Sequence, residues 1–386
     1  MISLGPLVSA DETFFHQITD TFATVSQSDR SWTEKVCAMA CARDGSVQLA
    51  FGIGKYPNRN VIDAYAGVSR GVEQWTTRAS REISGDHDTA AGPITYEIVE
   101  PLRTIRFALA PNDIVPVSFD WTFTGAVPPA LEHAEHHRSR DGSRLDADIV
   151  RYHHTGSAKG WVDVDGDRTE FTDVDWVSTR DHSWGVRYQV GAPVEDVAAS
   201  PIPDGVSMYI LWCPVMCERP DGSRYALHWY YQRHAFGDAY ERVEFQGGVE
   251  HTDGRRDTFV ALIPELKFEN DNRRFLGGTL RAITSDGTER PVTITPVSDT
   301  GFHLGAGLYH GFDDQWHGQW HGTNHAAGEY FDDCSDPGNA RRLHQHRDCV
   351  VRVEDPVGGG TGWGNLQSII YGAHPELGLS ANSSFL

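Results

Sequence analysis

The stretch Arg180-Asp181-His182-Ser183-Trp184-Gly185-Val186-Arg187 gathers two guanidinium groups, a carboxylate, an imidazole, a hydroxyl and an indole within eight residues. That mixture suits acid/base work, because an imidazole or carboxyl group can move a proton while a fixed arginine orients charge and an indole face shelters a cation. On a strand the side chains alternate, so Asp181, Ser183 and Gly185 share one face and His182, Trp184 and Val186 the other. His182 and Asp181 are therefore the candidate acid/base groups, Trp184 a pocket wall beside His182, and Arg180 and Arg187 orienting charges. The same residues read equally well as a buried tryptophan, a satisfied histidine and two ion pairs.

A second cluster is His317, His321 and His325, each four residues from the next. With Asp313 or Glu329 they could hold zinc or iron, or they could belong to a solvated hairpin; no recognised ligand motif accompanies them, and no metal is expected. The six cysteines lack the usual C-x₂-C zinc spacing and read as buried thiols. The run Gly358-Gly359-Gly360-Thr361-Gly362 neither follows a buried strand nor opens a helix, so it is no nucleotide loop. A G-x-S-x-G elbow is also missing.

Short alternating runs would position these groups: 47–51, 95–99, 104–109, 116–123, 207–212 and 226–232. Between candidate strands recur Asp44-Gly45, Asp141-Gly142, Asp165-Gly166, Asp221-Gly222, Asp253-Gly254 and Asp286-Gly287, the dipeptide of tight hairpin turns. Strands so numerous close into barrels or stack, since open edges invite aggregation. Residues 11–24 place Phe14, Ile18 and Phe22 on one face of a predicted helix. The prediction is an all-β chain of two antiparallel β-barrels with a short N-terminal helix: an extension over 1–30, a first barrel over 31–190, a Pro- and Ala-rich linker or lid over 191–205, and a second barrel over 206–386. In the second barrel Trp229 and Tyr231 share one strand face and His228 and Tyr230 the other. Trp229, Tyr231 and Trp212 are candidate walls for a flat apolar ligand.

The 386 residues carry a net charge of −21, which argues against nucleic acid as a partner. No run approaches the roughly 18 apolar residues of a membrane helix, and no signal peptide is legible, so a soluble cytoplasmic protein without membrane insertion is expected.

The octet 180–187, together with Gly160-Trp161, Gly328-Glu329, Arg347-Asp348-Cys349 and the closing run from Gly372 to Gly378, resembles the AttH-like group that includes the carotenoid 1,2-hydratases, whose architecture is shared with kievitone hydratase and the lipocalin-like Diels–Alderases. The resemblance covers most of the chain from about Trp32. It implies two lipocalin-like barrels, a hydrophobic small-molecule substrate and chemistry without a cofactor; separately from the resemblance, a homodimer is among the partner expectations. In the hydratase pattern the strand after the octet supplies an arginine, a tyrosine and an acidic proton donor; here Ser207, Tyr209 and Leu211 stand at those places. Tyr209 is retained as a hydrogen-bond donor, and Asp181, His182 or Glu244 would have to supply the proton. The functional expectation is a cofactor-independent lyase or isomerase acting on an isoprenoid, polyketide or aromatic metabolite between two barrels. A carrier for the same kind of ligand is the alternative.

Overall fold

The computed structural model describes residues 7–385 except 15, 17–26, 84–87, 140–143, 196, 199–204 and 238–239. The predicted 11–24 helix falls largely outside these residues. Its described start is a 3₁₀ turn, Ser9–Glu12, after which Thr13 is extended. Among the described residues no helix is long and apolar enough to cross a membrane.

The chain is all-β, built on two sheets. In the first, the strands run in the order Asn324–Phe331, Glu73–Glu82, Val61–Arg70, Gln48–Tyr56, Trp32–Ala42, Trp176–Val186, Leu145–Val164, Val117–Gly125, Thr104–Leu109, Ile94–Glu100 and Ala90–Ala91. This sheet curls into a half-barrel. The second runs through Glu289–Pro296, Phe275–Thr284, Arg256–Phe268, Tyr240–His251, Arg224–Phe236, Val206–Glu218, Gly360–Tyr371 and Arg347–Asp355, and closes because the first and last of these pair with each other. The result is an eight-strand barrel.

The Asp-Gly dipeptides act as hairpin turns. Asp165 and Gly166 have φ of 57° and 85°, the all-positive geometry of a two-residue type I′ turn, and join the 145–164 strand to Asp167–Phe171. Asp221-Gly222, Asp253-Gly254 and Asp286-Gly287 link successive barrel strands. Asp141-Gly142 lies outside the described residues.

Alternation sorts each strand into a core face and an interface face. In Trp32–Ala42, Val36, Ala38 and Ala40 join the half-barrel core of Phe51, Phe107 and Trp121, while Cys41 packs with Val177 against Met216 and Val350 of the barrel. In Val206–Glu218, Tyr209, Leu211, Cys213 and Val215 fill the barrel interior. The intervening residues face the half-barrel. One strand crosses between the units: Asn324–Phe331 arises within the 206–386 half of the sequence and pairs with Glu73–Glu82 at the edge of the first sheet.

Candidate active site

The octet occupies the strand Trp176–Val186, between Trp32–Ala42 and Leu145–Val164. Directly opposed residues share a face, and the register sets His182 against Val36, Asp181 against Cys37 and Arg180 against Ala38. Since Val36 and Ala38 belong to the half-barrel core, Arg180 and His182 point inward. Asp181 points toward the barrel. Gly185 is required at its place, since a Cβ there would sit 1.9 Å from the carbonyl oxygen of Asp148.

On the inward face the polar groups pair with one another. Arg180 donates to both oxygens of Glu12, at 2.7 and 2.6 Å; His182 lies 3.2 Å from the Tyr152 hydroxyl and 3.1 Å from Glu34. Burial works against charge on His182, but the hydrogen bonds to Glu12 and Glu34 outweigh it and hold the imidazole above its usual pKa. Trp184 stacks on His16, ring centroids 3.6 Å apart. His182 and Arg180 are sealed in the interior. The expectation that His182 and Trp184 project together into a hollow between two barrels is therefore corrected: strand alternation turns them into the half-barrel.

Between the sheets lies a cavity of about 160 Å³ lined by Cys37, Arg151, Asp181, Arg187, Tyr309 and His346 from one side and Ile210, Trp212, Tyr230, Gln367 and Ile369 from the barrel strands. Of the residues singled out in the sequence, Asp181, Arg187 and Trp212 meet here. Burial raises the Asp181 carboxyl above its usual pKa, while Arg151 and Arg187 oppose that rise; Arg151 Nε is 3.6 Å away. Arg187 donates to Ser183 Oγ at 2.7 Å, and its buried Nε has no hydrogen-bond partner among the described residues. The Tyr309 hydroxyl contacts Cys37 Sγ at 3.0 Å, and burial keeps both groups protonated. Behind Tyr309, Lys35 Nζ sits 4.0 Å from the ring centroid and 2.8 Å from His317 Nε2. Burial lowers Lys35 to about 8.

Tyr209, Trp229 and Tyr231 take the other face of their strands and pack inside the closed barrel. Tyr209 meets Tyr231 edge-on, with centroids 5.7 Å apart. They are core residues and do not reach the inter-sheet cavity. Glu244 ion-pairs with Arg242 at 2.5 Å on an exposed face. The three histidines also separate: His317 pairs with Lys35, while His321 and His325 stack on each other at 4.8 Å. Glu329 is held by Arg78 and Asp313 by Arg342.

Sequence reasoning gave no role in the site to Cys37, Lys35, Arg151, Tyr309 and His346. A signal for one of them stood in Trp32–Ala42, where Glu34 and Lys35 put two charges into a fully buried strand that is apolar from Val36 onward. Charges in such a strand need partners, and those partners mark a polar site.

A family model described as a family of unknown function, DUF8625, matches residues 7–380. No curated protein matches the sequence. Among solved structures the chain is similar to an AttH-like protein of Nitrosomonas europaea, with TM-score 0.49 and 11% identity over 87% of this chain and 91% of the other. Kievitone hydratase of Nectria haematococca gives TM-score 0.44 and 9% identity over 87% and 88%. CghA gives 0.44 and 11% over 91% of each chain.

Proposed function

The chain belongs to DUF8625, a family of unknown function, and we propose that its inter-sheet cavity is the active site of a lyase or isomerase that moves a proton on a small, partly apolar substrate. The observation that carries this reading is the placement of the half-buried Asp181 carboxyl in the inter-sheet cavity, between the donors Arg187 and Tyr309 and the apolar wall of Trp212, Ile210 and Ile369. A carboxyl group whose pKa is lifted by burial is a better base once ionised, and a better acid near neutral pH, than an exposed one.

Charge decides between possible intermediates. Arg151 and Arg187 flank Asp181, so positive charge on the substrate is disfavoured there and negative charge is stabilised. Asp181 takes a proton from carbon beside a carbonyl, and Arg187 Nε–H and the Tyr309 hydroxyl receive the enolate oxygen. The proton returns at another carbon in an isomerisation; in a lyase reaction the enolate expels a leaving group from the adjacent carbon, and the proton leaves with it. The cavity volume favours the aromatic or short isoprenoid end of the expected substrates, since roughly 150 Å³ accommodates one benzene ring. A longer polyketide would have to extend past Ile210 and Ile369.

The carrier reading has less support, because the closed barrel, where a carrier would hold its ligand, is filled by Leu211, Leu227, Trp229, Leu266 and Leu280. The test uses monocyclic enones and aryl ketones that raise the melting temperature of the protein. Incubated in deuterated water, the wild type is expected to introduce deuterium at carbon, and Asp181→Asn to lose this while still binding. Equal exchange by both proteins sinks the role of Asp181. Binding without exchange by the wild type would establish the carrier instead.

A further inference from the structure

We infer that Glu132, His153 and His228 form a binding site for a divalent transition-metal ion of the zinc class, which ties the half-barrel to the barrel. Glu132 follows the short strand Ala130–Leu131 and His153 lies in Leu145–Val164, both in the first sheet; His228 lies in Arg224–Phe236 of the second. All three are buried. One ligand atom from each lies within 4.8 Å of the others.

The spacing suits an ion. Glu132 Oε1 is 3.0 Å from His153 Nδ1 and 3.3 Å from His228 Nε2; atoms bound at about 2.0–2.1 Å around a tetrahedral zinc lie about 3.3 Å apart. The two imidazoles stack with centroids 3.5 Å apart and planes 18° from parallel, so their lone pairs run side by side and binding one ion requires one ring to tilt toward the other. The surroundings match those of a ligating histidine. His153 Nε2 is 2.7 Å from Glu250 Oε1, the outer carboxylate that commonly holds a metal-bound imidazole in the right tautomer and directs its other nitrogen at the ion. Glu132 is fixed by Trp212, whose Nε1–H donates to Oε1 at 2.9 Å, and by Arg151, which donates to Oε2 at 3.1 Å.

The second observation is His228. Neither of its ring nitrogens has a hydrogen bond among the described residues, although the side chain is fully buried. A proton on His153 Nδ1 would satisfy Glu132 and His153 and still leave His228 with no more than a poorly aligned approach of Nε2 to Glu132 at 3.3 Å and with Nδ1 unpaired, at the cost attached to a buried unpaired polar group. An ion takes up Glu132 Oε1, His153 Nδ1 and His228 Nε2 together, and leaves only His228 Nδ1 without a partner. Charge permits it, because Glu132, Glu135 and Glu250 outnumber Arg151 and Arg256 around the site. Two imidazoles and one carboxylate are a borderline donor set, suited to zinc, iron or cobalt rather than calcium or magnesium. The proposed proton transfer does not depend on this ion, whose ligands stand behind the cavity wall of Arg151 and Trp212.

The experiment strips the full-length protein with a chelator and titrates it with Zn²⁺ and Co²⁺, reading bound ion by elemental analysis after equilibrium dialysis, cobalt by visible absorption and stability by thermal melting. Close to one ion per chain is expected, with a melting temperature raised by several degrees. His228→Asn and His153→Gln should each weaken binding at least tenfold; His16→Asn, in the other His/Glu group (His16, Glu34 and His182), should not. The inference is overturned by a wild-type stoichiometry well below one. It is overturned equally by full binding in both His228→Asn and His153→Gln, or by binding lost in His16→Asn alone. Should one variant fail to fold, the other and the wild-type stoichiometry still decide.

Discussion

Glu12 accepts hydrogen bonds from Arg180, from the Tyr96 and Tyr152 hydroxyls and from the backbone N–H of Leu102, with no exposure to solvent. Its carboxyl is held well below the usual range although burial pushes the other way, because Arg180 and His182 stand against it. Removing one partner strands the other charge, so Glu12→Ala should lower stability by about 3–5 kcal/mol, measurable by chemical denaturation. A loss near zero would mean that Arg180 finds another anion. Asp348 gives the opposite case. Burial raises its carboxyl to about 7, against the hydrogen bonds from Asn365 and Gln367. The folded state therefore keeps a proton that the unfolded chain, with its ordinary carboxyl near 3.8, has released. Stability from this group is full below about pH 4 and falls by about 4 kcal/mol as pH rises to about 7. Asp348→Asn should flatten that decline and raise the melting temperature at pH 8; a parallel pH profile would contradict it. Residue types were legible in the octet, but their duties were not. Arg180, His182 and Trp184 look as reactive in sequence as Asp181, and only the register with Val36 and Cys37 shows which of them turn into the core.

Elements were more legible than sites because hairpins are local. The strand signals at 104–109 and 207–212 fall within Thr104–Leu109 and Val206–Glu218, and Asp165-Gly166 has the backbone that its composition predicts. The partner of Asn324–Phe331 was beyond such signals. Alternation marks a strand but carries no address, and this one leaves its sequence neighbours for the edge strand Glu73–Glu82. Two features hold it there. Arg78 grips Glu329 with two hydrogen bonds of 2.6 Å, and Gly328 allows close approach, since a Cβ would lie 2.3 Å from the carbonyl oxygen of Thr76. Gly328→Val should therefore lift the strand away. Amide hydrogen exchange across residues 74–81 should speed up at least tenfold while the barrel strands 206–218 and 347–355 keep their protection. Unchanged exchange at 74–81 would show that the strand is not what protects that edge.

At the scale of the whole molecule the two units are interlocked as well as joined. The crossing strand completes the first sheet from the C-terminal half, Cys41 and Val177 pack on Met216 and Val350, Ser69 donates to the carbonyl of Gly301 at 2.8 Å, and Thr179 hydrogen-bonds Asn365. The cavity has walls from both units, so its shape depends on their staying docked. The covalent connection between Val186 and Val206 adds little to this, because the interface already buries apolar side chains and pairs polar ones, and a connecting segment contributes mainly an effective concentration. Glu195 lies exposed in that link, and a glutamate-specific protease at low dose should cut there in preference to the sheets. The two pieces should then run apart on a denaturing gel, yet elute together at the mass of the intact protein and melt in one transition. Separation of the native pieces on the sizing column would mean that the crossing strand and the interface cannot hold the units together, and the cavity could not serve as a preformed site.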